Sequence, residues 1–397
     1  MRFLKRVGIF SFGQLMAAVL SFVYTLLAAR MLGVEKYGLF QACLGLYGLT
    51  TVFSLPLNLA ALHCVGQSHE AQRSRMLGEF VWIACAVSGI ITLCLFLFAP
   101  WIRMKFDASS NATVISVASL VLPTAILTTY FGYLQARHKY WFFAWVRSLQ
   151  FALGLGVGYL LMRESPSVFH AIMGYVAGMS AVTVYLLIKF PPDLRVKRFD
   201  HVRKELSAVA WILGVLGTTL MIENLPMVVG RVRLDSVESG HYGALFNLRN
   251  TFRPFAMAVI FPLYSHLLEN KHDTKLMKKA MGLMALQGGA FVLAGILMPE
   301  FIFRTLYGEA FVRASDYMAS YGGVMMLLMI AMTHMFYQIA MRTLNLIELA
   351  VPVVVLVAGI IFFGNTINGI LWVQLCSSIS YFVAAPMLQA AGYPAKS

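Results

Sequence analysis

Arg249 and Arg253 stand four residues apart in the stretch Arg249-Asn250-Thr251-Phe252-Arg253-Pro254, with apolar runs on both sides. In a helix that spacing puts both guanidiniums on one face, with Asn250 three residues before Arg253. Two guanidiniums on one face repel unless an anion lies between them, and their planar forks suit phosphate oxygens. The pair is therefore either a site for a phosphate-bearing ligand or a structural group paired with Glu223 or with backbone carbonyls. Glu223 and Asn224 lie just before Pro226, which removes the hydrogen bond to the Ile222 carbonyl. A carboxylate beside a freed carbonyl suits a proton or sodium ion, and suits equally an ion pair with an arginine of the next helix. Arg147 and Gln150 share another helical face, where Arg147 either extends a cationic track or snorkels to lipid headgroups. Glu348, near the start of an apolar run, is expected at an interface in contact with water.

These side chains need elements to hold them, and composition says which kind. The chain has 397 residues, 59% hydrophobic and only 12% charged, with a mean hydropathy of +0.75. Ordinary soluble domains run roughly 45–50% apolar and about 25% charged. A soluble globule of this size cannot hide that much apolar surface, so a polytopic membrane protein remains. One crossing needs about 20 apolar residues. Spans are expected at 7–29, 38–64, 78–100, 112–135, 141–162, 167–189, 206–229, 240–265, 279–299, 315–340, 343–363 and 367–390. The first run follows Arg2, Lys5 and Arg6 and is longer than a cleaved leader's core, so it reads as a permanent span. Entering span 8 near residue 240, at about 1.5 Å per residue, places Arg249 about 14 Å deep and Arg253 about 20 Å deep. A charge at that depth costs about 2.5–3.5 kcal/mol on insertion scales, so it faces a cavity or a partner.

Of the 31 Lys and Arg, 19 fall on the side that shares the N-terminus, nine on the other and three inside spans. That bias puts both termini in the cytoplasm and accounts for most of the net charge of +14. The basic residues are scattered over short juxtamembrane loops facing anionic lipid, so no nucleic-acid partner is expected. The five cysteines, Cys43, Cys64, Cys85, Cys94 and Cys376, lie in apolar runs and read as packed free thiols. The chain holds no Walker A sequence, no H-E-x-x-H, no G-x-S-x-G and no Cys/His metal spacing. No cofactor, metal or enzymatic activity is expected.

The Pro- and charge-rich segment at 191–205 divides the chain into an N-terminal six-helix lobe, 1–190, and a C-terminal one, 206–397. The halves share markers: Tyr37-Gly38 and Tyr242-Gly243 are 205 residues apart, Pro56 and Pro262 206 apart, Pro100 and Pro299 199 apart. Six spans return the chain to its starting side, so the two copies share one orientation around a cavity, an arrangement suited to alternating access.

The stretch Ala29-Arg30-Met31-Leu32-Gly33-Val34-Glu35-Lys36-Tyr37-Gly38-Leu39-Phe40 resembles the signature after the first span of polysaccharide and O-antigen flippases. These belong to the multidrug/oligosaccharidyl-lipid/polysaccharide exporter superfamily. Gly240-His241-Tyr242-Gly243-Ala244, Phe261-Pro262 and Leu306-Tyr307-Gly308-Glu309-Ala310-Phe311 agree in the second half. The resemblance implies an all-α fold of two six-helix lobes in a V. It implies movement of undecaprenyl-pyrophosphate-linked sugar repeat units from the inner to the outer leaflet of the bacterial inner membrane. The expected partners are that lipid-linked oligosaccharide, membrane lipids, and glycan polymerase and assembly proteins. Cavity arginines of the family match Arg249 and Arg253 here; Asn250, three residues before Arg253, and Arg147 of span 5, as a guide for the anion, complete the expected substrate contacts. The family's acidic position in span 7 falls on Glu223-Asn224, the expected ion-coupling pair. The alternative is an ion-coupled multidrug or small-molecule exporter of the same superfamily, but such a cation pump wants acidic cavity residues.

Overall fold

The protein was analysed as a computed structural model that describes residues 2–195, 200–269, 274–341 and 343–390. Its regular elements are helices: α1 (Arg2–Thr50), α2 (Ser54–Gln67), α3 (Glu70–Phe106), α4 (Asn111–Ala136), α5 (Tyr140–Glu164), α6 (Val168–Lys189), α7 (Asp200–Arg233), α8 (Ser236–Glu269), α9 (Thr274–Leu297), α10 (Pro299–Leu306), α11 (Met318–Met341), α12 (Leu346–Phe363) and α13 (Ile367–Ala390). Short 3-10 turns occur at Thr51–Phe53 and Glu309–Tyr317. In a bilayer every backbone polar group must be satisfied within the chain, which helices do segment by segment.

Among the described residues, ten stretches are long and apolar enough to cross a membrane. The first, Phe12–Gly66, is 55 residues long, more than two crossings' worth at about 20 residues each. The helix α8 has ample length at 34 residues, but Arg249, Arg253 and its other charged residues set it apart from the apolar ten. The protein is a multi-pass membrane protein. Its outer faces show the apolar stripes a bilayer requires: on α3, Ile90, Leu93, Leu97, Trp101 and Met104 recur at helical spacing and are each more than half exposed.

The sequence suggests a loop between spans 1 and 2, yet the chain stays helical there except at Gly33, with φ 72° and ψ 172°. A Cβ on Gly33 would meet nothing within 4 Å. The glycine is needed for its positive φ rather than for room.

The chain divides into two compact units, one of Met1–Leu32 with Leu46–Leu213, the other of Gly33–Gly45 with Gly214–Ser397. In the first, α4 is the centre: 72% of its most apolar stretch is buried, against 28% for α3 and for α5. Its Leu127, Tyr130, Phe131 and Leu134 pack with Ala61 and Val65 of α2, Phe80 of α3, Val146 of α5 and Leu186 of α6. Helices α5 and α6 meet through glycines four apart, Gly154 and Gly158 against Gly174 and Gly178, in the small-residue manner of membrane helices. A Cβ on Gly178 would fall 2.2 Å from the Gln150 carbonyl oxygen. The segment after α6 is tied down where it is described: Asp193 N–H donates to the Ser74 carbonyl at 3.1 Å, and Trp82 Nε1 to that of Leu194 at 3.1 Å.

In the second unit, residues 34–45 pack on α8. A Cβ on Gly38 would lie 2.7 Å from the Gly240 nitrogen, and one on Gly240 would lie 2.2 Å from the Val34 carbonyl oxygen. The Tyr-Gly markers are therefore packing residues. Tyr37 is fully buried, edge-on to Phe311 with ring centroids 5.4 Å apart, and the hydroxyl of buried Tyr242 donates to Gln374 Oε1 at 3.0 Å. All five cysteines are free thiols.

Candidate functional site

Helices α7 and α8 bring four of the six expected site residues together in the second unit. Glu223 of α7 is fully buried at its side chain, and its Oε2 lies 3.5 Å from Arg249 Nη1 and 3.3 Å from Arg253 Nη1. One carboxylate thus sits between the two guanidiniums, which is the anion their spacing calls for. Arg249 Nη1 also donates to Asn224 Oδ1 at 3.0 Å, while Asn224 Nδ2 donates to the Leu220 carbonyl at 2.8 Å. The Arg249 guanidinium lies over the Phe246 ring, 4.1 Å from its centroid, a cation–π contact that gains strength away from water. Arg249 is therefore held on three sides. The two arginines differ in access: the Arg249 side chain is 8% exposed, that of Arg253 32%.

One carboxylate against two guanidiniums leaves one net positive charge. Glu223 Oε1 and Arg249 Nε are buried and have no hydrogen-bond partner among the described residues. Unpaired buried polar atoms are costly, which marks this group as one whose hydrogen bonding is incomplete without a further partner.

The remaining expected site residues are placed differently. Asn250 Nδ2 donates to Asn247 Oδ1 at 3.0 Å, Asn247 Nδ2 donates to the Tyr307 hydroxyl at 3.0 Å, and that hydroxyl donates to the Ala244 carbonyl at 3.1 Å. Asn250 is thus tied into a chain that braces α8 against the segment after α10. Arg147 belongs to the first unit, on α5, with its guanidinium carbon 5.1 Å from the Phe131 ring centroid and 5.4 Å from that of Phe151.

The Ile222 carbonyl freed by Pro226 accepts from Gln374 Nε2 of α13 at 3.1 Å. One expectation is corrected. Glu348 is not solvated at an interface but 2% exposed, and its Oε2 accepts from Gln338 Nε2 at 2.8 Å. Gln374 and Phe246 escaped notice in the sequence, although an uncharged amide at membrane depth, as at Gln374, is itself a signal of a helix-to-helix hydrogen bond. Among the described residues no three His, Cys, Asp or Glu side chains are grouped to hold a metal ion.

Residues 3–268, well over half of the chain, match the family of polysaccharide biosynthesis proteins. The chain belongs to that family. Solved structures extend the likeness over nearly all of this polysaccharide biosynthesis protein. The lipid II flippase MurJ, in an inward closed conformation, superposes with a TM-score of 0.74 at 15% identity, covering 97% of this chain and 87% of that one. An inward-facing multidrug resistance MATE family transporter of the MOP superfamily gives 0.67 at 12% identity, covering 94% and 95%. The Vibrio cholerae MATE transporter VcmN gives 0.64 at 12% identity, covering 98% and 96%. At such identities the likeness is one of fold. No curated protein sequence matches the chain.

Proposed function

We propose that this protein is a flippase for an anionic lipid-linked oligosaccharide, of the undecaprenyl-pyrophosphate class. It turns the repeat unit from the inner to the outer leaflet of the bacterial inner membrane by alternating access of two six-helix lobes joined at 191–205. Both termini are cytoplasmic, and the product passes to glycan polymerase and assembly proteins. The observation that carries this reading is the charge count at α7 and α8. Two arginines share one buried carboxylate, and Arg253, 32% exposed, keeps a face that a ligand can reach. Guanidinium forks bind phosphate oxygens with two parallel hydrogen bonds. Family membership supports a glycan cargo.

In this reading Glu223 is the internal counter-anion and Asn224 the anchor of Arg249. The diphosphate competes with Glu223 for the guanidiniums, and a proton arriving on Glu223 releases both of them. Coupling to an ion gradient then works through that one carboxylate. Asn250 sets the pose of α8, and Arg147 guides the diphosphate from the cytoplasmic side. No covalent step is required.

The test replaces Arg249 and Arg253 with Gln, singly and together, and follows surface glycan and the lipid-linked intermediate in cells at matched protein level. The expected result is loss of surface glycan with accumulation of the intermediate, strongest in the double variant. Normal glycan at normal protein level would remove these arginines from the cargo site. Resistance to cationic drugs, with glycan unchanged, would instead favour the multidrug-exporter reading.

A further inference from the structure

A second buried polar group of the same unit joins α11, α12 and α13 and takes no part in the proposed transport site. Glu348 lies in the first turn of α12, behind the Asn345 cap. Its Oε2 accepts from Gln338 Nε2 of α11 at 2.8 Å, Gln338 Oε1 accepts from the Tyr381 hydroxyl of α13, and the Tyr381 oxygen is 2.7 Å from His334 Nδ1 of α11. Glu348, Gln338 and Tyr381 are 2%, 3% and 0% exposed, and His334 is partly buried. A buried carboxylate ordinarily has a cation beside it. Here no cationic side chain among the described residues pairs with Glu348; Arg342, the nearest cation in sequence, lies outside them.

The titratable groups facing Glu348 can be named element by element. Helix α11 presents His334, with Tyr337 stacked on its ring, and α13 presents Tyr381. Helix α7 presents Thr218, whose hydroxyl donates to the Leu349 carbonyl at 3.3 Å, and Gly214 against the Leu349 side chain. Helix α9 presents Ala280 and Leu276 to this end of α11. The group is therefore one carboxyl, one phenol and one imidazole linked by a primary amide.

A primary amide has one donating end and one accepting end. With the amide as placed, Tyr381 O–H donates to Gln338 Oε1 and Gln338 Nε2–H to the carboxylate, and the chain is complete when His334 carries its proton on Nδ1 and donates it to the Tyr381 oxygen. Turn the amide by half a rotation and its carbonyl faces Glu348, which must then be a carboxylic acid in order to donate. The amide N–H now donates to Tyr381, Tyr381 donates to His334 Nδ1, and the imidazole proton sits on Nε2. The heavy-atom positions are the same for both arrangements. Reversing only part of the amide–phenol–imidazole chain sets donor against donor or acceptor against acceptor in a buried place, at a cost of about 1–3 kcal/mol for each group left unpaired; a Glu348 protonated on Oε1 can go on accepting through Oε2, so the His334 tautomer is what tells reversal from simple protonation.

We infer that Glu348, Gln338, Tyr381 and His334 form a proton-binding site, in which uptake of one proton by Glu348 reverses the whole hydrogen-bond chain across α11, α12 and α13. One proton is gained, by the Glu348 carboxylate, from water. His334 keeps its proton count, giving up Nδ1–H and taking a proton on Nε2. The ligand is a hydron, and the site stands whether or not the cargo is a lipid-linked sugar.

The test uses the full-length protein in lipid nanodiscs, followed by infrared difference spectroscopy against pH and by nitrogen-15 NMR of histidine. A carboxylic-acid carbonyl band should grow as pH falls and be absent in Glu348→Gln, an isosteric change. The His334 signal should switch from the Nδ1–H to the Nε2–H tautomer over the same pH range. In Tyr381→Phe the tautomer should no longer follow the carboxyl band, and the band's midpoint should move by about one pH unit, the equivalent of one hydrogen bond. Identical bands in the wild type and Glu348→Gln, or a His334 tautomer fixed across the titration, would overturn the inference. So would a carboxylate band that responds to sodium chloride at constant pH and not to pH itself, since that assigns the site to a metal ion. Tyr381→Phe keeps the test open should Glu348→Gln fail to fold.

Discussion

Replacing Glu223 with Gln keeps the shape of the side chain and removes the one negative charge between Arg249 and Arg253. The separations of 3.5 and 3.3 Å correspond to about 5 kcal/mol of Coulomb attraction per pair at an effective dielectric constant of about 20. Much of that offsets the cost of having taken the charges out of water. What a truncation loses is typically about 3–5 kcal/mol, because the partner charge stays buried and uncompensated. The larger share falls on Arg249, whose side chain is 8% exposed, since water screens Arg253 at 32%. The expected loss for Glu223→Gln is therefore about 3–5 kcal/mol, whereas Arg253→Gln should cost about 1 kcal/mol or less. Adding Arg249→Met to Glu223→Gln removes the stranded charge, so the double variant should be more stable than Glu223→Gln alone, with a coupling energy of about 2–3 kcal/mol. Purified variants can be unfolded by SDS titration in mixed micelles with tryptophan fluorescence as the readout. Strict additivity of the two substitutions, or wild-type stability of Glu223→Gln, would show that the carboxylate is not the counter-charge described.

Gln374→Leu should cost about 1–3 kcal/mol for each of the two groups it leaves unpaired, the Ile222 carbonyl and the Tyr242 hydroxyl, in the same titration. Gly178→Ala should destabilise by about 1–3 kcal/mol, because its Cβ would fall 2.2 Å from backbone of the facing helix, while Gly156→Ala, with nothing within 4 Å, should be neutral or stabilising. Equal effects at the two glycines would refute the close-packing account of α5 and α6.

The helical spans were legible because a bilayer imposes a length and an apolarity that a single segment carries by itself. The shared face of Arg249 and Arg253 was legible for a similar local reason, the four-residue repeat of a helix. Which anion lies between them was left open in the sequence, since Glu223 is 26 residues from Arg249 and periodicity does not report which faces of two helices meet. The same blindness hid Gln374, which reaches the Ile222 carbonyl from 152 residues away. Pro226 told of a freed carbonyl but not of its acceptor role. Glu348 was misplaced because proximity to a helix end was read as proximity to water. The helix end is covered by α11 and α13, and that is a property of packing. Gly33 was misread as part of a loop. Its positive φ bends the chain at a single residue, a smaller break than the run of Gly33, Glu35, Lys36 and Gly38 suggests.

The charge left over on the Arg249 and Arg253 pair has an energetic corollary. One carboxylate for two guanidiniums makes the protein without an anion the less relaxed member of any binding cycle, by about 1 kcal/mol where water screens Arg253. Whatever polyanion settles against Arg253 relieves that strain, so part of its affinity is supplied by discomfort in the host rather than by new contacts. Inorganic pyrophosphate alone should then raise the unfolding temperature of the purified protein, and a singly charged anion such as chloride should do so far less.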